Sequence, residues 1–203
     1  MIRFEQAGDV WRATIERPQK ANSLTAVMLN ALADFATEAR GQAKVFVLTG
    51  TGRVFSAGAD LDDARAGLAV DPVWERLSGA IAALPCLSIA ALNGTLAGGA
   101  FGMALACDLR IAVPAAKFFY PVMKLGYLPQ PSDPARMSAL IGPSRSKMIL
   151  MGAQKIDSQT AYDFGLIDRI VALEDLETTV ADLSAAALAA PDDIRSGIKA
   201  MCL

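Results

Sequence analysis

The chain has 203 residues, enough for one domain with a full hydrophobic core, and its 53 % hydrophobic and 20 % charged residues exclude a disordered chain. A net charge of −2, a pI near 5.2 and the lack of any basic run argue against a nucleic-acid or anionic-membrane surface. Histidine is absent, which removes Ser-His-Asp and Cys-His catalysis and most zinc sites; acid–base chemistry falls to Asp, Glu, Tyr, Lys, Cys or the substrate itself.

The N-terminal MIRFEQAGDV does not read as a signal peptide. Ile2 to Glu5 and Val10 to Ile15 read as a short antiparallel pair. Thr25 is placed to cap an amphipathic helix through Ala39, with Val27, Leu29, Leu32 and Phe35 among its apolar positions. The apolar run Lys44 to Leu48 is a strand, followed by the turn-like TGTG and by VFSAGADL (Val54 to Leu61). Pro72 to Leu84 reads as a helix. From Gly79 to Cys107 no charged residue occurs, a length that suits a membrane span. Pro85, Asn93-Gly94 and Gly98-Gly99 argue against that, and the segment divides into helix end, buried strand (Leu87 to Leu92), glycine loop and a small-residue helix toward Cys107. Leu109 to Val113 is a further strand. Ser132-Asp133-Pro134 is a helix start with Pro near N1, and Ser158 is placed to cap a helix ending at Gly165. Leu166 to Leu173 returns as strand, and Glu174 to Ala189 and Pro191 to Cys202 are terminal helices. The rhythm of strand and helix indicates an α/β fold, with no clear repeat beyond it. Cys86, Cys107 and Cys202 fit no metal spacing and leave an odd count for disulfides, so a reducing cytoplasm is the simplest setting.

Strand followed by small-residue loop occurs twice, in KVFVLTGTGRVFSAGADL and in LSIAALNGTLAGGAFGMALACD. One N–H from each loop can meet around an oxygen that becomes anionic, an oxyanion hole, which needs small residues so that a carbonyl can approach the backbone. Alternatively the glycines and alanines only permit close helix–sheet packing.

The sequence resembles the crotonase (enoyl-CoA hydratase/isomerase) superfamily. The matching segments are ERPQKANSLT (Glu16 to Thr25), FVLTGTGRVFSAGADL (Phe46 to Leu61) and IAALNGTLAGGAFGMALACDLRIAV (Ile89 to Val113), then AKFFYPVMKLGYLP (Ala116 to Pro129) and AYDFGLIDRIV (Ala161 to Val171). The resemblance implies an α/β, ββα-superhelical core over residues 1–173 and a C-terminal helical segment, 174–203, shorter than is usual. It also implies an acyl-CoA thioester as ligand, with coenzyme A entering as part of the substrate and no separate cofactor or metal. The thioester oxygen is then received by the backbone N–H groups of Ala59 and Gly99, the latter in the Gly98-Gly99 pair. The backbone around Ala57, Gly58, Asp60 and Leu61 lines the CoA path, Lys20 and Arg53 are candidates for its phosphates, and Val122 and Tyr127 border the substrate. A homotrimer or dimer of trimers in the cytoplasm is the expected assembly, with no nucleic acid or membrane partner.

Two departures matter. The hydratases of this family carry one glutamate six residues before the Asp of the Cys-Asp pair and another after the Pro of Pro-x-x-x-Leu-Gly; here these positions are Gly102 and Val122. Simple hydration is therefore disfavoured. Isomerase chemistry with a substitute base, decarboxylation of a malonyl-type thioester, which needs no base, and silent acyl-CoA binding remain. Asp133 is the candidate acid or base, weighed against a plain helix-capping role for Ser132 or Asp133. Tyr120 and Tyr127 are donors or pocket wall, Glu75 approaches the acyl chain or is solvated, and Asp108 is a structural acceptor.

Overall fold

The computed structural model describes residues 1–202; Leu203, the end of the expected 174–203 segment, lies outside them. Strands β1 (Ile2–Ala7) and β2 (Val10–Ile15) form the expected antiparallel pair, and α1 (Ala26–Ala39) follows. Thr25 Oγ1 accepts the Met28 N–H, so the cap is as the sequence indicates. Val27 departs from the expected apolar face and is exposed; the buried side is Met28, Leu29, Leu32, Ala33, Phe35, Ala36 and Ala39. Phe35 meets Phe4, Trp11 and Phe46 at ring-centroid distances of 4.5, 5.1 and 5.8 Å, which ties the helix to the sheet.

The chain then runs through β3 (Val45–Gly50), β4 (Val54–Ser56), α2 (Leu61–Arg65), α3 (Val73–Ala82), β5 (Leu87–Leu92), β6 (Thr95–Ala97) and α4 (Phe101–Leu105). After these come β7 (Leu109–Ala112), β8 (Lys117–Phe119), α5 (Val122–Leu125), α6 (Asp133–Ile141) and α7 (Pro143–Leu150). The last elements are β9 (Ile156–Asp157), α8 (Ser158–Phe164), β10 (Arg169–Ile170), α9 (Leu176–Ala189) and α10 (Asp192–Met201). One sheet has the order β1-β2-β3-β5-β7-β10 and the other β4-β6-β8-β9. All neighbouring strands of the first sheet beyond β1 are parallel. Each turn of the superhelix lays a long strand in the first sheet, a short strand in the second, then a helical segment. This is the ββα repeat that the family resemblance implies; local pattern alone does not show it, because β4, β6 and β8 have only three residues each.

Two expectations near the C-terminal part change. Asp157, not Ser158, caps α8 through the Thr160 N–H; Ser158 Oγ instead donates to Val113 O and Ala116 O at 2.8 and 3.1 Å. The strand expected over Leu166 to Leu173 shrinks to β10. Buried Arg110 is the reason: its Nε donates to Leu166 O at 2.9 Å, and Asp168 Oδ2 accepts the Arg110 N–H at 2.7 Å, so side chains take bonds that a ladder would use. Leu176 and Val180 of α9 join the buried core, and Asp108 accepts from Ser88 N, Ser88 Oγ and Lys199 Nζ of α10, the structural role its position suggested.

Candidate functional site

The site begins at the VFSAGADL stretch. The loop after β4 is pinned against residues 21–24: Ala57 N–H donates to Ala21 O at 3.0 Å, Asp60 N–H to Leu24 O at 2.8 Å, and Gly58 O accepts from Leu24 N at 2.8 Å. Gly58 N–H is taken by Ser56 Oγ at 3.2 Å. Among the described residues Ala59 is thus the one member of Ala57 to Asp60 whose N–H goes to no protein acceptor. Ala59 is half-buried on a cavity wall, so its N–H is open to an acceptor entering that cavity.

Gly99 approaches from the second loop. It lies in the 3₁₀ turn Gly98–Ala100 that closes β6, where first-turn N–H groups have no intrahelical acceptor. The helix that follows is α4, five residues and not the longer one expected toward Cys107, so local N–H geometry outweighs any helix dipole. Gly58 has φ +88°, and a Cβ there would stand 3.0 Å from Ala97 O and 3.3 Å from Gly99 N. The two loops therefore touch at their glycines. A Cβ on Gly99 would meet the Trp74 ring at 3.3 Å; the indole of α3 forms the floor beneath it and donates its Nε1–H to Leu68 O at 2.8 Å.

Between the loops lies a cavity of about 150 Å³, below the about 300–1,000 Å³ usual for ligand pockets. Of the residues singled out from the sequence, Ala57, Ala59, Leu61, Gly98, Gly99, Tyr120, Val122 and Tyr127 line it. Val122 presents an apolar side chain at the position expected to hold a glutamate. Gly58 shapes the loop without being part of the wall. Asp60 does not line the cavity either: its carboxylate accepts from Arg17 Nη1 at 2.7 Å and from the Asp62 N–H at 3.1 Å, capping α2, and Arg17 holds it below the ordinary carboxylate range. Lys20, in the 3₁₀ turn Pro18–Lys20, and Arg53, in the turn entering β4, are exposed and do not line the cavity.

Asp133 is where the structure changes the sequence reading most. Ser132 makes no side-chain cap, and Asp133 is the first residue of α6, fully buried, with Oδ2 accepting from Tyr120 Oη at 2.9 Å. The capping role is excluded. Its other oxygen, Oδ1, has no partner among the described residues and stands 2.9 Å from where a Cβ on Gly102 would be. The Asp133 carboxylate, delivered from α6, thus occupies the room that a side chain at position 102 would take. Burial, with Glu75 adding charge, pushes Asp133 up to about 7 despite the Tyr120 hydrogen bond.

Asp133 does not itself border the cavity. Tyr120 does, stacked on Phe101 at 5.4 Å between centroids, with burial pushing its hydroxyl above the ordinary tyrosine range. Glu75 is half-buried and does not line the cavity: Oε1 accepts from Ser132 N at 3.1 Å and Ser132 Oγ at 2.9 Å, holding the residue before Asp133. Trp74 and Gln130 are site residues that the sequence did not reveal. Gln130 Nε2 donates to Ala69 O at 3.1 Å, bridging across the cavity mouth. Neither lies in a segment that distinguishes it from core. The buried thiols are inert: desolvation pushes Cys86 to about 11 and Cys107 to about 12. No group of metal-ligating side chains occurs among the described residues, and no helix is long and apolar enough to cross a membrane.

Comparison with known proteins bears on the family and the fold. The family model described as enoyl-CoA hydratase/isomerase matches residues 5–201. The probable enoyl-CoA hydratase echA6 of Mycobacterium leprae (strain TN) is 34% identical over 190 residues, covering 91% of this chain and 76% of the relative. The enoyl-CoA hydratase of Bacillus anthracis superposes with a TM-score of 0.87 at 29% identity over 96% of this chain and 79% of that one. A Thermobifida fusca YX homologue solved in complex with CoA gives 0.89 at 28% identity, over 99% and 83%. With the ββα superhelix and the paired small-residue loops in place, the chain belongs to the enoyl-CoA hydratase/isomerase family.

Proposed function

We propose that the chain binds an acyl-CoA thioester with its carbonyl oxygen between the Ala59 and Gly99 N–H groups, and that it stabilises the enolate formed there. The observation that carries this is the unpaired Ala59 N–H beside the first-turn Gly99, at the wall of a small, largely apolar cavity. Each such donor contributes about 3–4 kcal/mol to stabilising the developing charge. The CoA-bound structural neighbour supports the ligand class, and the exposed cations Lys20 and Arg53 are candidates for its phosphates.

The reaction class that fits best is proton transfer at the carbon next to the thioester, as in double-bond isomerisation. A hydratase needs two carboxylates around its water; with Val122 on the wall and Gly102 bare, a single carboxylate, Asp133, is at hand. A base poised near neutrality suits reversible proton abstraction. The test is deuterium incorporation at the α-carbon of a saturated acyl-CoA incubated with the protein in heavy water, read by mass spectrometry. Exchange supports enolate chemistry. Saturable binding without exchange refutes base-dependent proton transfer and leaves a silent acyl-CoA binder or a base-free decarboxylase.

A further inference from the structure

The base inferred above is sealed from the substrate. Asp133 is fully buried and takes no part in the cavity wall, whereas Tyr120, whose hydroxyl it accepts, lies on that wall. Resting on the enolate reading, we propose that Tyr120 is the catalytic residue facing the substrate and that Tyr120 and Asp133 work as a two-step proton relay. The ring is fixed for this task by its stack on Phe101, and the Gln130 N–H points at the same hydroxyl oxygen from 3.4 Å. Oδ1 of Asp133, unpartnered, is free to change its hydrogen bonding when the group gains a proton.

The step balances without a co-reactant. As the substrate's Cα–H bond breaks, its electron pair forms the enolate double bond and the thioester oxygen takes the negative charge in the Ala59/Gly99 hole. The released proton bonds to Tyr120 Oη while the tyrosine's own O–H proton passes to Asp133 Oδ2, leaving Asp133 neutral. The two transfers are concerted, because burial makes a free tyrosinate costly. The reverse relay returns a proton to the α-carbon, giving exchange, or to the γ-carbon of an unsaturated chain, moving the double bond. The charged groups acting on Asp133 are Glu75 of α3 and Arg136 of its own helix. The packed face of α4, Phe101 to Leu105, carries no charge, and Arg145 and Lys147 of α7 are exposed.

The relay is tested by the pH profile of α-proton exchange for the native protein, Tyr120→Phe and Asp133→Asn, with acyl-CoA affinity measured alongside. Removing the hydroxyl also removes a hydrogen bond that favours ionised Asp133, so a protein in which Asp133 acted directly would recover its full rate at higher pH. The relay predicts instead a loss of roughly 100-fold or more at every pH, with affinity kept. Recovery of the Tyr120→Phe rate to the native plateau overturns it. Undiminished exchange in Asp133→Asn overturns the underlying assignment of the base, a different failure. If Tyr120→Phe does not fold, a fluorotyrosine placed at position 120 keeps the ring and hydrogen bond while making the phenol more acidic. The relay then predicts an altered rate and profile, and an unchanged profile refutes it.

Discussion

Asp133→Asn should make the protein more stable at neutral pH, not less. Asn keeps an oxygen to accept the Tyr120 hydroxyl, loses the charge and puts an NH2 in place of the unpartnered Oδ1. In the folded protein burial raises this carboxyl from 3.8 to about 7, so the folded state holds its proton over a range in which the unfolded chain has released it. Its contribution is favourable at low pH and is lost as pH rises through the folded value, the opposite of a salt-bridged carboxylate. Three units at about 1.4 kcal/mol each set an upper bound of about 4 kcal/mol on the cost of the buried charge above pH 7. Between about pH 5.5 and about pH 8 native stability should fall by about 2 kcal/mol from this group alone, and the variant should lack that slope. Urea denaturation followed by the fluorescence of Trp11 and Trp74, both buried, measures it. Parallel pH dependence of the two proteins, or a variant less stable at the higher pH, would refute the assignment of a strained buried carboxylate.

Other outcomes follow from the same geometry. Gly58→Ala combines a positive φ with a Cβ 3.0 Å from Ala97 O and 3.3 Å from Gly99 N; it should cost about 1–3 kcal/mol in denaturation and lower exchange more than affinity. Gly102→Ala drives a methyl to 2.9 Å from Asp133 Oδ1, and should destabilise by about 1–3 kcal/mol, with most of that cost absent when Asp133→Gly is also present, a coupling that a double-mutant cycle reads directly. Glu75→Gln keeps an oxygen for the Ser132 N–H and hydroxyl but removes a charge that raises Asp133, so the midpoint of the exchange profile should move to lower pH with the plateau little changed. An unmoved midpoint would show that Glu75 only holds the helix.

The sequence carried the long strands, α1 with its Thr25 cap and the paired glycine loops, because these rest on local signals: apolar runs, a capping oxygen, glycine where backbones touch. The short strands β4, β6 and β8 were invisible, since three residues give no period and only the sheet they join defines them. Ala59 and Gly99 were expected from family likeness alone; in the structure the other N–H groups of Ala57 to Asp60 go to protein acceptors. Asp133 looked like a cap because Ser-Asp-Pro is what a helix start looks like. That its carboxylate fills the room left at Gly102 is a contact across 31 positions of chain, and no local pattern records such a pairing. The bond from Ser132 to Glu75 went unseen for the same reason, since the two are 57 residues apart.

The account stands on the Ala59/Gly99 hole, and the most direct measurement is isotope-edited infrared spectroscopy of an acyl-CoA carrying ¹³C at its thioester carbonyl. Two backbone donors on that oxygen weaken the C=O bond, so the account predicts a bound carbonyl band at lower frequency than in water, returning toward the free value in Gly58→Ala. Saturable binding with the carbonyl band at its aqueous frequency would contradict it.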